Sequence, residues 1–569
     1  MKTIFQVKQV ENENSLLSDF PPRSEKNNSN NLLTPETEIL LDYYQPLSDK
    51  RIKSSEPKIR VGETLGILAV AYERIRNALD YKGEHLLRRN AIERILRRQL
   101  WENPAIARDT QKFADLLIKE LIWARYLKNN SVPKSRSKKV AQVITKYLKL
   151  LGLLSDKYND RKQTRVLSDW FLGVISAEIE EILDPSLLKV GVLVSVISSW
   201  FNKKFEWENS ELNKAEKNIQ LNIVIHKSLF KSDQVRVRYH LLKYFYPSWG
   251  GVLEDEVGKR TSQLVRISQK IEHQLSSPYQ PKLYRVVQKE IVQFQILTEI
   301  IERKPKEARN ILSNPEKLAA ETSGICENKY NEIGRRVNRG IVRSIIYIFS
   351  TKILLALIIE IPYEHYFLGG IKPVPIGINL IIPLILMLVV GLSIKKPGSD
   401  NTRVIIERIS DFVYNTQNVE KTTFSIALKN QNTRMHRIFW LFYAFLFLLI
   451  IGVISFILFK TTFSIVSGLI FFMFLSLVLL FGFRVRFSAS ELKVTTKKEG
   501  FFSHILTNLS LPLLNLGVWM TSQLSKINFL TVALDFLIEA PLKSILGVFQ
   551  EWASFIKERR EEVIEVPEN

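Results

Sequence analysis

The hydrophobic positions of this chain follow one pattern before residue 343 and a different pattern after it. Before it, apolar residues recur at spacings of three and four, which is typical of amphipathic helices with one buried face. After it come four apolar runs of about 18 to 22 residues each, close to the ~20 residues that a helix needs to cross a ~30 Å hydrocarbon core. The pattern therefore predicts four membrane-spanning helices, at 344–361, 374–394, 438–459 and 463–483.

These two patterns predict an all-α protein: a cytoplasmic helical part, a multi-pass membrane region of four helices and amphipathic C-terminal helices. The apolar stretch 190–201 has about 12 residues, so we interpret it as a buried helix that is too short to span a membrane. The predicted divisions are a disordered tail (1–60), a first helical bundle (61–127), a basic linker (128–139), a second helical domain (140–340), the membrane region (341–486) and interfacial helices (487–569).

The balance of charge indicates an anionic partner. Lys and Arg number 80 against 58 Asp and Glu, a formal net charge of +22. For a chain with membrane spans, anionic lipid of the inner leaflet is the expected partner, and nucleic acid is an alternative. The single cysteine, Cys326, excludes an intrachain disulfide and a cysteine-cluster metal site. No apolar segment of signal-peptide length opens the sequence, so we expect the first membrane helix to direct insertion.

The distribution of basic residues predicts the orientation of the spans. Lys and Arg number five in 329–343, one between the first two spans (Lys372), eight in 395–437, one between the last two spans (Lys460) and five in 484–498. Segments rich in Lys and Arg stay in the cytoplasm. The alternation therefore predicts a protein of the cell membrane with both termini in the cytoplasm.

Two groups of arginines are candidate contacts with anionic surfaces. The first group lies on the basic face of a helix predicted over 84–101, and the second lies just before the first span. A solvated basic face is the simpler interpretation of the first group, and the acidic stretch 170–183 is a candidate intramolecular or intermolecular partner for it. The candidate contacts are Arg88, Arg89, Arg94, Arg97, Arg98, Arg335, Arg336, Arg339 and Arg343.

The first span contains two ionisable residues, Lys352 and Glu360. They are eight residues apart, two helical turns, and therefore lie on roughly the same face. An ionisable group inside a membrane is a functional hypothesis by default, as part of an ion or proton pathway. The alternatives are structural pairing of the two charges, and a span displaced outward so that Lys352 lies at the inner interface.

Motifs for catalysis and ligand binding are missing from the sequence. The closest approach to a phosphate-binding loop, 251–260, has the wrong spacing and carries three acidic residues. The histidines are dispersed, without metal-motif spacing, and no Gly-x-Ser-x-Gly elbow occurs. We therefore expect no enzyme, no cofactor, no metal site and no small-molecule substrate.

The pattern of the C-terminal segment predicts that its helices dock on the membrane interface and on another protein surface. The polar residues within 528–539 share one helical face, which favours an interfacial helix. A last helix then carries an apolar seam that is typical of a short coiled coil, with either this chain, a partner protein or a second copy as its target. The seam consists of Leu542, Ile545, Phe549, Trp552 and Ile556.

Together these features favour a non-enzymatic membrane anchor or scaffold, whose helical domain recruits a protein partner or organises the membrane. A channel or small transporter that uses Lys352 and Glu360 is the alternative. A membrane-tethered nucleic-acid-binding protein is a third hypothesis.

Overall fold

The computed structural model describes most of the chain, and it is helical almost throughout. The described residues are 33–49, 56–61, 86–102, 104–157, 160–208, 212–251, 254–394, 396–414, 422–425, 433–495 and 501–526, with positions 552, 555, 556 and 559. The α-helices are α1 Pro35–Asp49, α2 Leu87–Glu102, α3 Thr110–Trp123, α4 Lys134–Lys157, α5 Arg161–Leu183, α6 Leu188–Lys204, α7 Lys214–Leu229, α8 Gln234–Phe245, α9 Glu254–Leu275, α10 Gln280–Arg303, α11 Ala308–Leu312, α12 Pro315–Leu355, α13 Ile361–Phe367, α14 Pro373–Leu392, α15 Ser399–Tyr414, α16 Thr433–Lys460, α17 Ile465–Ala489 and α18 Phe501–Lys526.

The all-α prediction is confirmed, with one small addition. Strands β1 (Phe205–Glu208) and β2 (Thr422–Ser425) form a parallel pair in which Trp207 lies opposite Phe424. This pair connects the helical domain to the segment between α15 and α16.

The helical domain contains two cores. The first core joins α2, α3, α4, α5, α8 and α9 around fully buried residues such as Phe113, Phe171 and Trp249. Helix α3 shows why these segments are helical: Phe113, Leu117 and Leu121 recur at four-residue intervals on the buried face. The side chain of Asp109 caps this helix by accepting a hydrogen bond from the Lys112 amide at 2.9 Å.

The second core joins α1, α6, α7, α10, α11, α15 and the first half of α12. Its centre is aromatic, with the Phe294 ring edge-on to that of Phe412 at 5.0 Å between centroids and to that of Trp200 at 5.2 Å. Such edge-to-face pairs each add about 0.5–1.5 kcal/mol beyond the area they bury.

Helical structure extends into the segments predicted as a disordered tail and a basic linker. Residues 35–49 form α1, whose Leu40, Leu41 and Tyr44 are buried in the second core, so the tail is ordered here. The predicted linker 128–139 includes the start of α4, and Ile59, Val132 and Val140 belong to the first core, so that core continues across the segment. Apolar residues too sparse to form a periodic pattern were nevertheless sufficient to attach both segments to large cores.

Among the described residues, five helices are long and apolar enough to cross a membrane, where the sequence predicted four. Four of them overlap the predicted runs: Pro315–Phe367, Pro373–Leu392, Arg437–Lys460 and Ile465–Ala489. The fifth, Pro185–Lys204, extends beyond the 12-residue stretch seen in the sequence to a length of 20 residues. Its Leu193, Ile197 and Phe201 lie in the second core, among helices of the helical domain. The apolar helices indicate a protein embedded in a membrane.

One long helix joins the helical domain to the membrane region. Helix α12 has 41 residues, and it continues through a π-helical turn, Ala356–Glu360, into α13. Its first half packs in the second core through residues such as Ile325 and Ile333, and its second half contributes Ile348 to a separate cluster with Met387 and Phe474. The membrane region is therefore attached to the domain without a break in the backbone helix.

The membrane helices approach one another closely at glycines. A Cβ added at Gly482 of α17 would lie 2.5 Å from Val390 Cγ1 of α14, and one added at Gly517 of α18 would lie 2.7 Å from the Ser476 carbonyl oxygen. Small residues at such contacts are typical of helix packing in membranes. Because Ser476 lies near the middle of α17, α18 extends alongside the membrane helices.

Candidate functional site

A buried polar cluster lies among the membrane helices, and it includes both predicted intramembrane charges. Lys352 of α12 donates a hydrogen bond from Nζ to Oδ1 of Asn379 on α14. Asn379 in turn donates from Nδ2 to Glu360 Oε1 at 2.9 Å and to the Ser467 carbonyl oxygen at 3.2 Å. Lys352, Glu360 and Asn379 are each at most 2% exposed. The asparagine therefore connects the two charges across three membrane helices.

A second carboxylate extends the cluster. Glu364 of α13 accepts hydrogen bonds from Ser467 Oγ at 3.2 Å and from the Lys372 backbone amide at 2.9 Å. Its side chain is fully buried. We call Lys352, Glu360, Glu364, Asn379 and Ser467 the polar cluster.

The backbone geometry that positions the carboxylates begins at a proline. Pro362 has no amide hydrogen to donate and therefore interrupts the hydrogen bonding of a regular α-helix. Just before it, residues Ala356–Glu360 form a π-helical turn, a feature frequent at functional sites. Glu360 ends this turn and Glu364 follows one helical turn later, so both side chains reach the interior between α14 and α17.

The polar cluster occupies one half of the membrane layer. At 1.5 Å per residue, Lys352 lies about 14 Å beyond Arg343, and Glu364 lies about 31 Å beyond it. Lys352 is therefore near the centre of a ~30 Å core, and Glu364 is near the surface opposite the helical domain. On the domain side of Lys352, three apolar side chains pack together: Ile348, Met387 and Val478, each at most 1% exposed.

One atom of the cluster is left without a partner. Glu360 Oε2 is buried and finds no hydrogen-bond donor among the described residues. The ammonium group of Lys352 also lies 4.4 Å from the centroid of the Phe474 ring, a favourable cation–π contact. A carboxylate oxygen that is removed from water and unpaired is energetically costly.

Three members of the cluster were not among the predicted site residues. Asn379 is the one strongly polar side chain in the run 374–392, and that isolation was the available signal. Glu364 follows the apolar run, which ends at residue 361, so the sequence places it in the connection after the first predicted span. Ser467 gave no signal, since serines are common in membrane helices.

The arginines of the first predicted group lie on α2 and interact with other residues of this chain. Arg88 pairs with Asp184 at 2.6 Å, Arg97 with Asp169 at 2.5 Å, and Arg98 with Glu120 at 2.5 Å. Arg89 is 4% exposed and contacts Glu93 and Asp233, and Arg94 also has an interaction partner. The acidic residues Glu180 and Asp184 of the 170–184 region thus contact the basic helix intramolecularly.

The arginines of the second predicted group lie on α12 as it leaves the helical domain. Arg335, Arg339 and Arg343 are exposed, and Arg336 pairs with Glu332 and Glu491. Of the predicted C-terminal seam, Trp552 and Ile556 are helical and exposed, by 60% and 47%. The seam residues Leu542, Ile545 and Phe549 lie outside the described residues.

Within the described part of the chain, no group of three or more His, Cys, Asp or Glu side chains could hold a metal ion. Comparison with protein-family models, curated proteins and solved structures finds no match to this chain. The argument for function therefore depends on the geometry of the polar cluster.

Proposed function

We propose that this protein moves protons or small cations across its membrane by way of the polar cluster. The observation that carries the proposal is the buried Glu360 carboxylate, connected to Lys352 through Asn379 and left with Oε2 unpaired among the described residues. Binding of a proton or cation at Glu360 changes the charge of a group that the surrounding helices enclose completely. Such changes drive the relays of many pumps and transporters.

The asymmetry of the membrane region supports the same proposal. The polar cluster provides hydrogen-bonding groups from the centre of the membrane to the surface opposite the helical domain, and Ile348, Met387 and Val478 close the other half. Transport requires that this apolar cluster separate. Helix α12 passes through it from the second core, so a movement of the domain has a direct mechanical route to it.

Flux measurements on the purified, full-length protein in liposomes test this proposal. With a pH-sensitive dye inside and a potassium diffusion potential applied, wild-type protein should acidify or alkalinise the lumen faster than empty liposomes. Glu360→Gln and Lys352→Met should reduce the rate to that of empty liposomes. Lys460→Gln is the matched control, because it removes a charge at the exposed end of α16 and should retain the wild-type rate.

Equal rates in all variants, or no flux in wild type, would contradict the proposal. Parallel measurements with sodium and potassium gradients distinguish protons from cations.

We further propose the orientation that the charge distribution predicts, with the helical domain and both termini on the cytoplasmic side of the cell membrane. The five, one, eight, one, five alternation of basic residues supports it. A reporter active only in the cytoplasm should be active when fused after Gly398 and inactive when fused after Gly370. The reverse pattern would overturn this orientation.

A membrane-anchored scaffold is the second candidate function. The supporting observation is the continuity of α12, which holds a helical domain with two cores against the membrane surface. Affinity purification of the tagged protein in mild detergent, followed by mass spectrometry, should then recover a stoichiometric protein partner. Recovery of this chain alone would favour the transport proposal.

A further inference from the structure

A pocket lies where three membrane helices join the helical domain. Residues of α12, of the segment that follows α14, and of the end of α17 line a cavity of about 330 Å³. This volume lies within the range of small-molecule sites in proteins. We call it the junction pocket.

The membrane-side end of the junction pocket lies at the depth expected for lipid head groups. Ile341 of α12 packs directly against Gly391 near the end of α14, and it lies just before the first apolar run begins at residue 344. The α12 residues that line the pocket lie between Asn331 and Asn338, three to ten residues nearer the domain, or roughly 5–15 Å along the helix. The head-group layer extends roughly 5–7 Å beyond each side of the ~30 Å hydrocarbon core.

The lining of the junction pocket is basic and amide-rich on one side and apolar on the other. Arg335 and Lys396 contribute the charges, and Lys396 Nζ donates to Asn331 Oδ1 at 3.0 Å. Val337 and Ile394 contribute apolar surface. No carboxylate lines the pocket among the residues that the structure describes, so the positive charge is not neutralised from within.

Arg335 differs from its neighbour in sequence. Arg336 pairs with Glu332 at 3.0 Å and with Glu491 at 3.6 Å. Arg335 is exposed and forms no ion pair with any described residue, although it lies on the same turn of α12. Its guanidinium group can therefore bind an external anion with two parallel hydrogen bonds.

We propose that the junction pocket binds the phosphate of an anionic phospholipid from the leaflet on the side of the helical domain. Arg335 and Lys396 bind the phosphate, the Asn338 amide contacts the head group, and Val337 and Ile394 accommodate the start of the acyl chains. The proposal is independent of transport through the polar cluster. Basic pockets at the ends of membrane helices are known to bind lipid head groups in this way.

Native mass spectrometry of the full-length protein, titrated with phosphatidylglycerol or phosphatidylcholine in mild detergent, tests this assignment. We expect one phosphatidylglycerol to bind in preference to phosphatidylcholine. Each of Arg335→Gln and Lys396→Gln should weaken its binding by about fivefold, equivalent to ~1 kcal/mol per charge. Arg484→Gln is the matched control: it removes an exposed arginine from the same end of α17 but does not line the pocket, and should bind lipid like wild type.

The remaining outcomes would overturn the proposal. Equal binding of the two lipids would show that no anionic site exists. Undiminished binding by a variant that combines Arg335→Gln and Lys396→Gln would place the site elsewhere. Displacement of the lipid by inorganic phosphate at equal concentration would identify a soluble phosphate, rather than a lipid, as the ligand.

Discussion

The side-chain amide of Asn379 accepts a hydrogen bond from the ammonium group of Lys352, between two helices that enter the membrane region from opposite sides. The same amide donates to Glu360 at 2.9 Å, so one neutral residue connects a buried cation to a buried carboxylate. A neutral bridge keeps the two charges associated, and one oxygen of Glu360 has no hydrogen-bond donor among the described residues, which is the observation behind the proposed function.

Replacement of Asn379 by alanine should destabilise the membrane region by about 1–2 kcal/mol, because three buried partners lose a hydrogen bond and interhelical polar contacts in membranes are worth about that much. Thermal unfolding in detergent, followed by loss of the monodisperse peak, measures the change. Asn515→Ala is the control: it removes an exposed amide that donates to Tyr443 at 2.6 Å and should cost less than about 0.5 kcal/mol. Similar losses in both variants would show that Asn379 has no special structural role.

Two glycines of α17 should respond differently to the same substitution. Gly482→Ala places a methyl group 2.5 Å from Val390 Cγ1 and should destabilise the packing with α14 by about 1–3 kcal/mol. A Cβ added at Gly468 would meet no atom of a neighbouring residue within 4 Å. Gly468→Ala should therefore be neutral or stabilise the helix by up to about 1 kcal/mol. Thermal unfolding in the same detergent compares the two variants. A neutral Gly482→Ala would show that α14 and α17 are less closely packed than described.

The buried ion pair of the first core should be essential for the stability of the helical domain. Glu178 pairs with Lys146 at 2.8 Å and accepts hydrogen bonds from Tyr147 at 2.8 Å and Trp249 at 3.0 Å. Glu178→Ala removes the carboxylate partner of Lys146 in the core, and such losses cost about 3–5 kcal/mol.

Chemical denaturation followed by circular dichroism measures this loss of stability. The matched variant Glu407→Ala removes a carboxylate from an exposed pair with Arg403, which is worth at most about 0.5 kcal/mol. The expectation fails if the two variants unfold at the same denaturant concentration.

The stability of the helical domain should decrease on mild acidification because of His226. Burial, and then the positive charge of Lys243, lower the pKa of His226 to about 3, and its ring stacks on that of His240 at 4.3 Å. The unfolded chain, with an ordinary histidine pKa near 6.5, binds a proton that the folded chain does not bind. The contribution of the buried, neutral His226 to the free energy of unfolding is therefore fully present above pH ~6.5 and is lost as the pH falls toward 3. At pH 5 the loss is about 2 kcal/mol.

The variant His226→Phe tests the pH dependence, since it retains an aromatic ring but cannot titrate. The difference in unfolding free energy between pH 7 and pH 5 should be smaller in the variant than in wild type by about 2 kcal/mol. Parallel pH profiles for the two proteins would exclude His226 as the source.

Much of the architecture could be predicted from the order of apolar and polar residues. Helical periodicity and apolar runs of ~20 residues are local properties, since a span must satisfy its own backbone and bury its own side chains in lipid. The runs at 344–361, 374–394, 438–459 and 463–483 therefore appear in the sequence almost as they appear in the structure. The length of Pro185–Lys204 was underestimated, because Lys189 and the residues around it obscure where the helix begins.

The pairing of side chains depended on the tertiary structure. The sequence alone established an all-α chain with apolar membrane helices and two ionisable residues, Lys352 and Glu360, within one of them. It did not show that Asn379, 27 positions from Lys352, lies between those residues, or that Arg88 pairs with Asp184. Hydrogen bonds and ion pairs act over a few ångströms in space, and only the packing of distant helices determines which groups come that close.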